Sequence, residues 1–124
     1  MKLNNLFIFI GILGLFFGGV TILIPGGFSA FYGGNLTEAG KLDTQLQGAA
    51  YLGLAILLFM VTKSKDATAR KAIVLGLFVM FAVGLVVSLK AQLAGFINVW
   101  GWSTVAIHGI VSLCLLFFLM RGVE

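Results

Sequence analysis

The chain has 124 residues, of which 60% are hydrophobic and 10% charged, with a mean hydropathy of +1.14 and a formal net charge of +4. A soluble domain carries about 25% charged residues, so a water-soluble globule is excluded by composition. The positive balance does not indicate nucleic acid, because the cations sit at the ends of apolar stretches and form no basic helix face.

Four apolar stretches fill the sequence, over residues 6–24, 44–62, 72–93 and 102–120. At about 1.5 Å per helical residue, each is long enough to cross a hydrocarbon layer of about 30 Å. They leave no room for a separate soluble domain, so the expectation is one transmembrane domain over residues 1–124. The fold class expected is all-α, an antiparallel bundle of four transmembrane helices.

The first stretch carries Gly11, Gly14 and Gly18 on one helix face. In lipid, packing replaces the hydrophobic drive between helices, so such a face marks close helix approach, within the chain or between copies of it. The stretch is too long for a signal-peptide core and lacks a small-x-small exit, so it is read as retained. No lipid-attachment motif is visible.

Pro25-Gly26-Gly27 ends the first helix. Phe28, Phe31 and Tyr32 then fall near the membrane interface, with Tyr32 an expected anchor. Asn35 or Thr37 is placed to cap the next helix, with Glu38 in its first turn. Residues 26–36 are expected to be the longest irregular segment and the best loop candidate for function.

The second stretch repeats the small-residue pattern with Gly48, Ala49, Ala50, Gly53 and Ala55; Ala49 and Gly53 are four apart. Asp66 precedes the third stretch as a cap. That stretch carries Gly76, Gly84 and Ser88. Trp100 and Trp102 flank Gly101 as interfacial anchors, and Arg121 closes the fourth stretch. Packing is thus expected to run through Gly11, Gly14, Gly18, Gly48, Gly53, Gly76 and Gly84.

Orientation follows from the cations. Lys2, Lys63, Lys65, Arg70, Lys71 and Arg121 fall on one side of an up-down bundle, and Lys41 and Lys90 on the other. The richer side is the cytoplasmic one, which places both termini there. The same cations are suited to anionic head groups.

Polar side chains within the spans concentrate towards the outer leaflet: Gln45, Gln47, Ser88, Lys90, Gln92 and His108, with Asn98 in the outer loop. Ser88 and Gln92 share a face with Gly84. A patch of Gln47, Ser88, Gln92 and His108 reads either as interhelical hydrogen bonding or as the lining of an outward cavity. Lys90 reads as a snorkelling anchor or as a partner of Asp43 or Glu38. His108, the single histidine, reads as an interhelical hydrogen-bonding group or as a haem ligand or proton relay. Cys114 is alone, so no disulfide forms within the chain.

No carboxylate lies inside an apolar stretch, which argues against a carboxylate-driven proton antiporter. No metal-ligand cluster, Ser-His-Asp set, P-loop or dinucleotide fingerprint appears. The expectation is a protein that is not an enzyme and holds no cofactor or metal.

Phe31-Tyr32-Gly33 after the proline-ended first span, residues 47–54 (QGAAYLGL), residues 66–73 (DATARKAI), residues 84–88 (GLVVS) and the turn 98–102 (NVWGW) come in an order that resembles a group of small bacterial four-helix integral membrane proteins of unknown function. The resemblance covers nearly the whole chain and implies a bacterial inner (cytoplasmic) membrane protein. It brings no activity and no functional residues. The chain is similar in size to the small multidrug exporters but lacks their membrane glutamate.

Three functions are consistent with these residues. The first is a non-enzymatic accessory or structural subunit of a homo-oligomer or larger membrane complex, whose partners are membrane lipids and protein rather than nucleic acid. The second is a small-molecule or lipid-binding channel or carrier, with an outer cavity lined by Gln47, Ser88, Lys90, Gln92 and His108. The third is a haem- or pigment-binding subunit that hangs on His108.

Overall fold

The structure is a computed structural model that describes residues 2–122. Five helices follow one another: α1 (Leu3–Leu23), α2 (Pro25–Phe31), α3 (Glu38–Val61), α4 (Ala67–Leu93) and α5 (Gly101–Arg121). Among the described residues there is no strand. Helices α1, α3, α4 and α5 contain 21, 24, 27 and 21 residues and are long and apolar enough to cross a membrane. Their outward side chains include Phe9, Phe16, Ile56, Met60, Val86, Leu113 and Met120, each at least half exposed. Apolar surface on this scale is solvated by lipid, not by water.

Helix boundaries differ from the apolar stretches where capping chemistry intervenes. Helix α3 starts at Glu38 because Thr37 Oγ1 accepts from the Gly40 amide at 3.1 Å. Helix α4 starts at Ala67 because Asp66 Oδ1 accepts from the Thr68 and Ala69 amides at 2.8 and 3.1 Å. An apolar window cannot see these polar first turns. Replacing Asp66 by alanine is expected to cost about 1 kcal/mol of stability and to increase amide exchange at Thr68 and Ala69. Unchanged exchange at both amides would show that the carboxylate is dispensable.

The segment 26–36, expected to be irregular, is largely helical. Pro25 stops α1, since it has no N–H to continue the ladder. The same residue opens α2, where its fixed φ suits the first helical position and the missing donor is not needed. Phe28 N–H donates to Ile24 O at 2.9 Å. The helix ends at a turn through Gly33, whose φ of 85° suits glycine. Only residues 32–37 remain outside a helix.

The chain divides into two compact units, the first ending at Lys63 and the second beginning at Ser64. In the first, α1 packs along α3. A Cβ on Gly11 would meet the Phe59 ring, one on Gly14 the Tyr51 carbonyl at 3.0 Å and Ala55 Cβ at 3.2 Å, and one on Gly18 the Gly48 carbonyl at 2.9 Å. The glycines therefore let two backbones approach within van der Waals contact, which is the main source of helix attraction in lipid. Side-chain amides tie both ends of this pair. Asn4 Nδ2 donates to Thr62 O at 3.1 Å, and Gln45 Nε2 donates to Ile22 O at 3.0 Å. Each satisfies a carbonyl that a helix C-terminus leaves without an intrahelical donor.

In the second unit α4 packs along α5, with Val74, Leu77, Phe81, Val111, Leu115 and Phe118 buried. The turn between them closes through Gly95, at φ 72°, and the Asn98 side chain accepts from the Trp100 amide at 3.0 Å.

Candidate functional site

The five residues of the expected polar cavity are divided between the units. Gln47 is on α3, exposed, and its Nε2 donates to the Tyr51 hydroxyl one turn along the same helix at 2.8 Å. Lys90 is exposed on α4 and forms no ion pair among the described residues. Glu38, one of its two expected partners, is held by Lys41 at 2.6 Å on its own helix. Ser88, Gln92 and His108 belong to the second unit and lie along its α4–α5 seam.

The seam is built from helix geometry. Gly84, Ser88 and Gln92 recur every fourth residue on α4, and Thr104, His108 and Ser112 do so on α5. His108 Nδ1 lies 2.8 Å from Thr104 O. A carbonyl oxygen only accepts, so Nδ1 carries the proton in this contact. The Cδ2–Nε2 edge rests on Gly84, where any Cβ would overlap it. Phe81 leans on the ring, with centroids 5.4 Å apart. The imidazole thus fills a notch that only a glycine leaves open.

At the outer end of the seam, Gln92 Nε2 donates to Asn98 O at 3.3 Å, and Gln92 Oε1 lies against Gly101. Ser88 is buried and returns its hydroxyl to Leu85 O at 3.2 Å. Along the seam, Gln92 Oε1 and Ser112 Oγ are buried with no hydrogen-bond partner among the described residues. Orphaned polar atoms cost about 1–3 kcal/mol each. A rotation about χ1 of Ser112 would bring its hydroxyl toward the His108 carbonyl one turn back, a common serine bond in helices.

This chemistry is limited. The seam offers amides, hydroxyls and one imidazole, with no carboxylate to orient the imidazole for acid–base work. Among the described residues no group of three or more His, Cys, Asp and Glu is placed to hold a metal ion. A porphyrin iron at Nε2 would bring the macrocycle against the α4 backbone at Gly84. Cys114 is a half-buried free thiol.

The packing glycines separate into two groups. Gly11, Gly14, Gly18 and Gly48 meet across α1 and α3, and Gly84 receives His108. Gly53 and Gly76 are exposed, and a Cβ on either would meet nothing within 4 Å. Of the interfacial anchors, Trp100 and Trp102 are half exposed at the start of α5, and Tyr32 packs edge-on against Phe28 and Phe31.

Some structural residues carried little signal in the sequence. Gly101 is buried against Gln92 and Ile97, and Thr21 is buried with its hydroxyl on Phe17 O at 2.7 Å. The position of Gly101 between two tryptophans was its one visible mark. Asn4 and Ser112 had none.

No family model matches the chain, and comparison with curated proteins and with solved structures gives no match. The resemblance to small bacterial four-helix proteins therefore extends no further than the four apolar helices. Those helices make the chain a multi-pass membrane protein by length and composition.

Proposed function

We propose that this protein is a non-enzymatic accessory or structural subunit of the bacterial cytoplasmic membrane. Its four spans form an antiparallel bundle with both termini in the cytoplasm, and it assembles with copies of itself or with a larger membrane complex. One observation carries the reading. Ala49 and Gly53, four residues apart on α3, remain exposed, while Gly48 on the same helix is consumed by packing on α1. Small residues turned outward let a further helix come close in lipid. The link between α3 and α4 and the turn between α4 and α5 are short, which leaves helix faces as the natural contact surface.

Mass spectrometry of the intact protein released from native membranes tests this. The expected spectrum contains complexes with a second copy or a partner subunit, and Gly53→Leu removes them while the monomer stays folded. A spectrum of monomer alone under gentle release would overturn the proposal.

The carrier reading draws support from the orphaned Gln92 Oε1 and Ser112 Oγ. Tight packing at Gly84–His108 and Gly101–Gln92 favours a filled seam instead. The same packing counts against haem at His108.

Orientation is tested in a Cys114→Ala background. A membrane-impermeant maleimide applied to intact cells is expected to label Asn98→Cys and to spare Lys65→Cys. The opposite pattern would reverse the assignment of the cation-rich side.

A further inference from the structure

We infer that the link between α3 and α4 is a docking surface for anionic phospholipid head groups. The inference rests on the four spans and is independent of the accessory-subunit reading. Helix α3 ends at Val61 and α4 begins at Ala67, leaving five residues between two membrane-crossing helices. Such a link reaches at most about 18 Å when extended, less than the roughly 30 Å hydrocarbon layer. It therefore stays at one membrane surface, at the level of the lipid phosphates.

Lys63 and Lys65 lie in this link, and Arg70 and Lys71 in the first turns of α4. The one carboxylate among them, Asp66, is turned to the Thr68 and Ala69 amides. Asp66 N–H in turn donates to Ser64 Oγ at 3.2 Å. Arg70 is buried and donates to Ser64 O at 3.3 Å, which folds the link onto the start of α4. Lys63, Lys65 and Lys71 are exposed, and among the described residues none has an ion pair or hydrogen bond from its ammonium group. The link is thus held by its own polar groups, and three ammonium groups have no ion-pair partner among the described residues.

A phosphate diester with a net negative charge supplies a counter-charge; a zwitterionic head group cancels its phosphate with its own amine. The attraction adds across lysines that sit within a Debye length of the surface. The surface is therefore expected to collect phosphatidylglycerol-like lipids in preference to phosphatidylcholine.

The full chain in nanodiscs of phosphatidylcholine with a minor share of phosphatidylglycerol provides the test. Native mass spectrometry reads which lipids stay bound after release. Retained phosphatidylglycerol is expected at about five-fold over its share in the disc, falling as salt is raised. The triple variant Lys63→Gln, Lys65→Gln, Lys71→Gln should bring the ratio back near one. The control Lys41→Gln, Lys90→Gln removes two cations elsewhere and should leave it unchanged. Retained lipid that mirrors the disc composition at low salt would overturn the inference. So would enrichment that survives the triple replacement, or that the control removes equally. The salt series needs no substitution, so it decides the matter even if the triple variant inserts poorly.

Discussion

Gly48→Ala is expected to destabilise the first unit by about 1–3 kcal/mol, the usual cost of forcing volume into a packed core. The added methyl would meet the Gly18 carbonyl at 2.9 Å and Ile22 Cγ1 at 2.8 Å, and would overlap the Thr21 hydroxyl. A backbone carbonyl in a helix cannot rotate away, so α1 itself has to move. Gly53→Ala is the matched control on the same helix. Its methyl enters open space, and the expected change lies within about 0.5 kcal/mol. Gly18→Ala meets the Gly48 carbonyl from the other side, also at 2.9 Å. Once α1 has shifted for one methyl, the second finds part of the space made. The double variant Gly18→Ala with Gly48→Ala should therefore cost less than the two single changes together. Unfolding midpoints in mixed micelles measure all four proteins. Equal midpoints for Gly48→Ala and Gly53→Ala would remove the close α1–α3 approach from the account.

Gly84→Ala is expected to cost a further 1–3 kcal/mol, roughly, in the second unit, by driving a methyl into the imidazole edge. The ring has little freedom to retreat, because Nδ1 is tied to Thr104 O at 2.8 Å and Phe81 packs against it. His108→Ala empties the same space and removes the hydrogen bond. In the double variant the Gly84→Ala methyl occupies volume the ring has left. A coupling of about 0.5–3 kcal/mol between the two positions is the expected result. Nitrogen chemical shifts of His108 give a second readout: Nδ1 protonated in the parent protein, and a changed tautomer balance in Gly84→Ala. Additive stabilities together with an unchanged tautomer would mean that the ring does not sit in the glycine notch.

These two sites differ in how far the sequence exposed them. Gly84, Ser88, Gln92 and His108 all drew attention as small or polar residues in apolar surroundings, because such residues are costly in lipid and need a reason. Their sharing of one seam was legible for Ser88 and Gln92, four apart on one helix. That His108 meets Gly84 was not, since the pairing depends on the register between α4 and α5. Grouping Gln47 with them rested on similar depth alone. In the structure Gln47 bonds within its own helix, to Tyr51. Segment 26–36 departs from the irregular form expected of it for a local reason. Proline ends the helix before it, and it also favours the first turn of a new one.

The sequence alone determined that this chain lives in lipid, how many times it has the length to cross, that Asp66 caps a helix and that Pro25 ends one; it narrowed the cap before Glu38 to Asn35 or Thr37. Those features are local: solvation of a side chain, a cap, a missing N–H. Tertiary structure alone decided which glycines are buried. Gly48 and Gly53 look alike in composition, yet they lie about 140° apart around α3, so α1 can cover one and leave the other open. A glycine becomes a packing residue only when another backbone arrives beside it. That arrival depends on helices brought together from distant parts of the chain, which spacing along one helix does not encode.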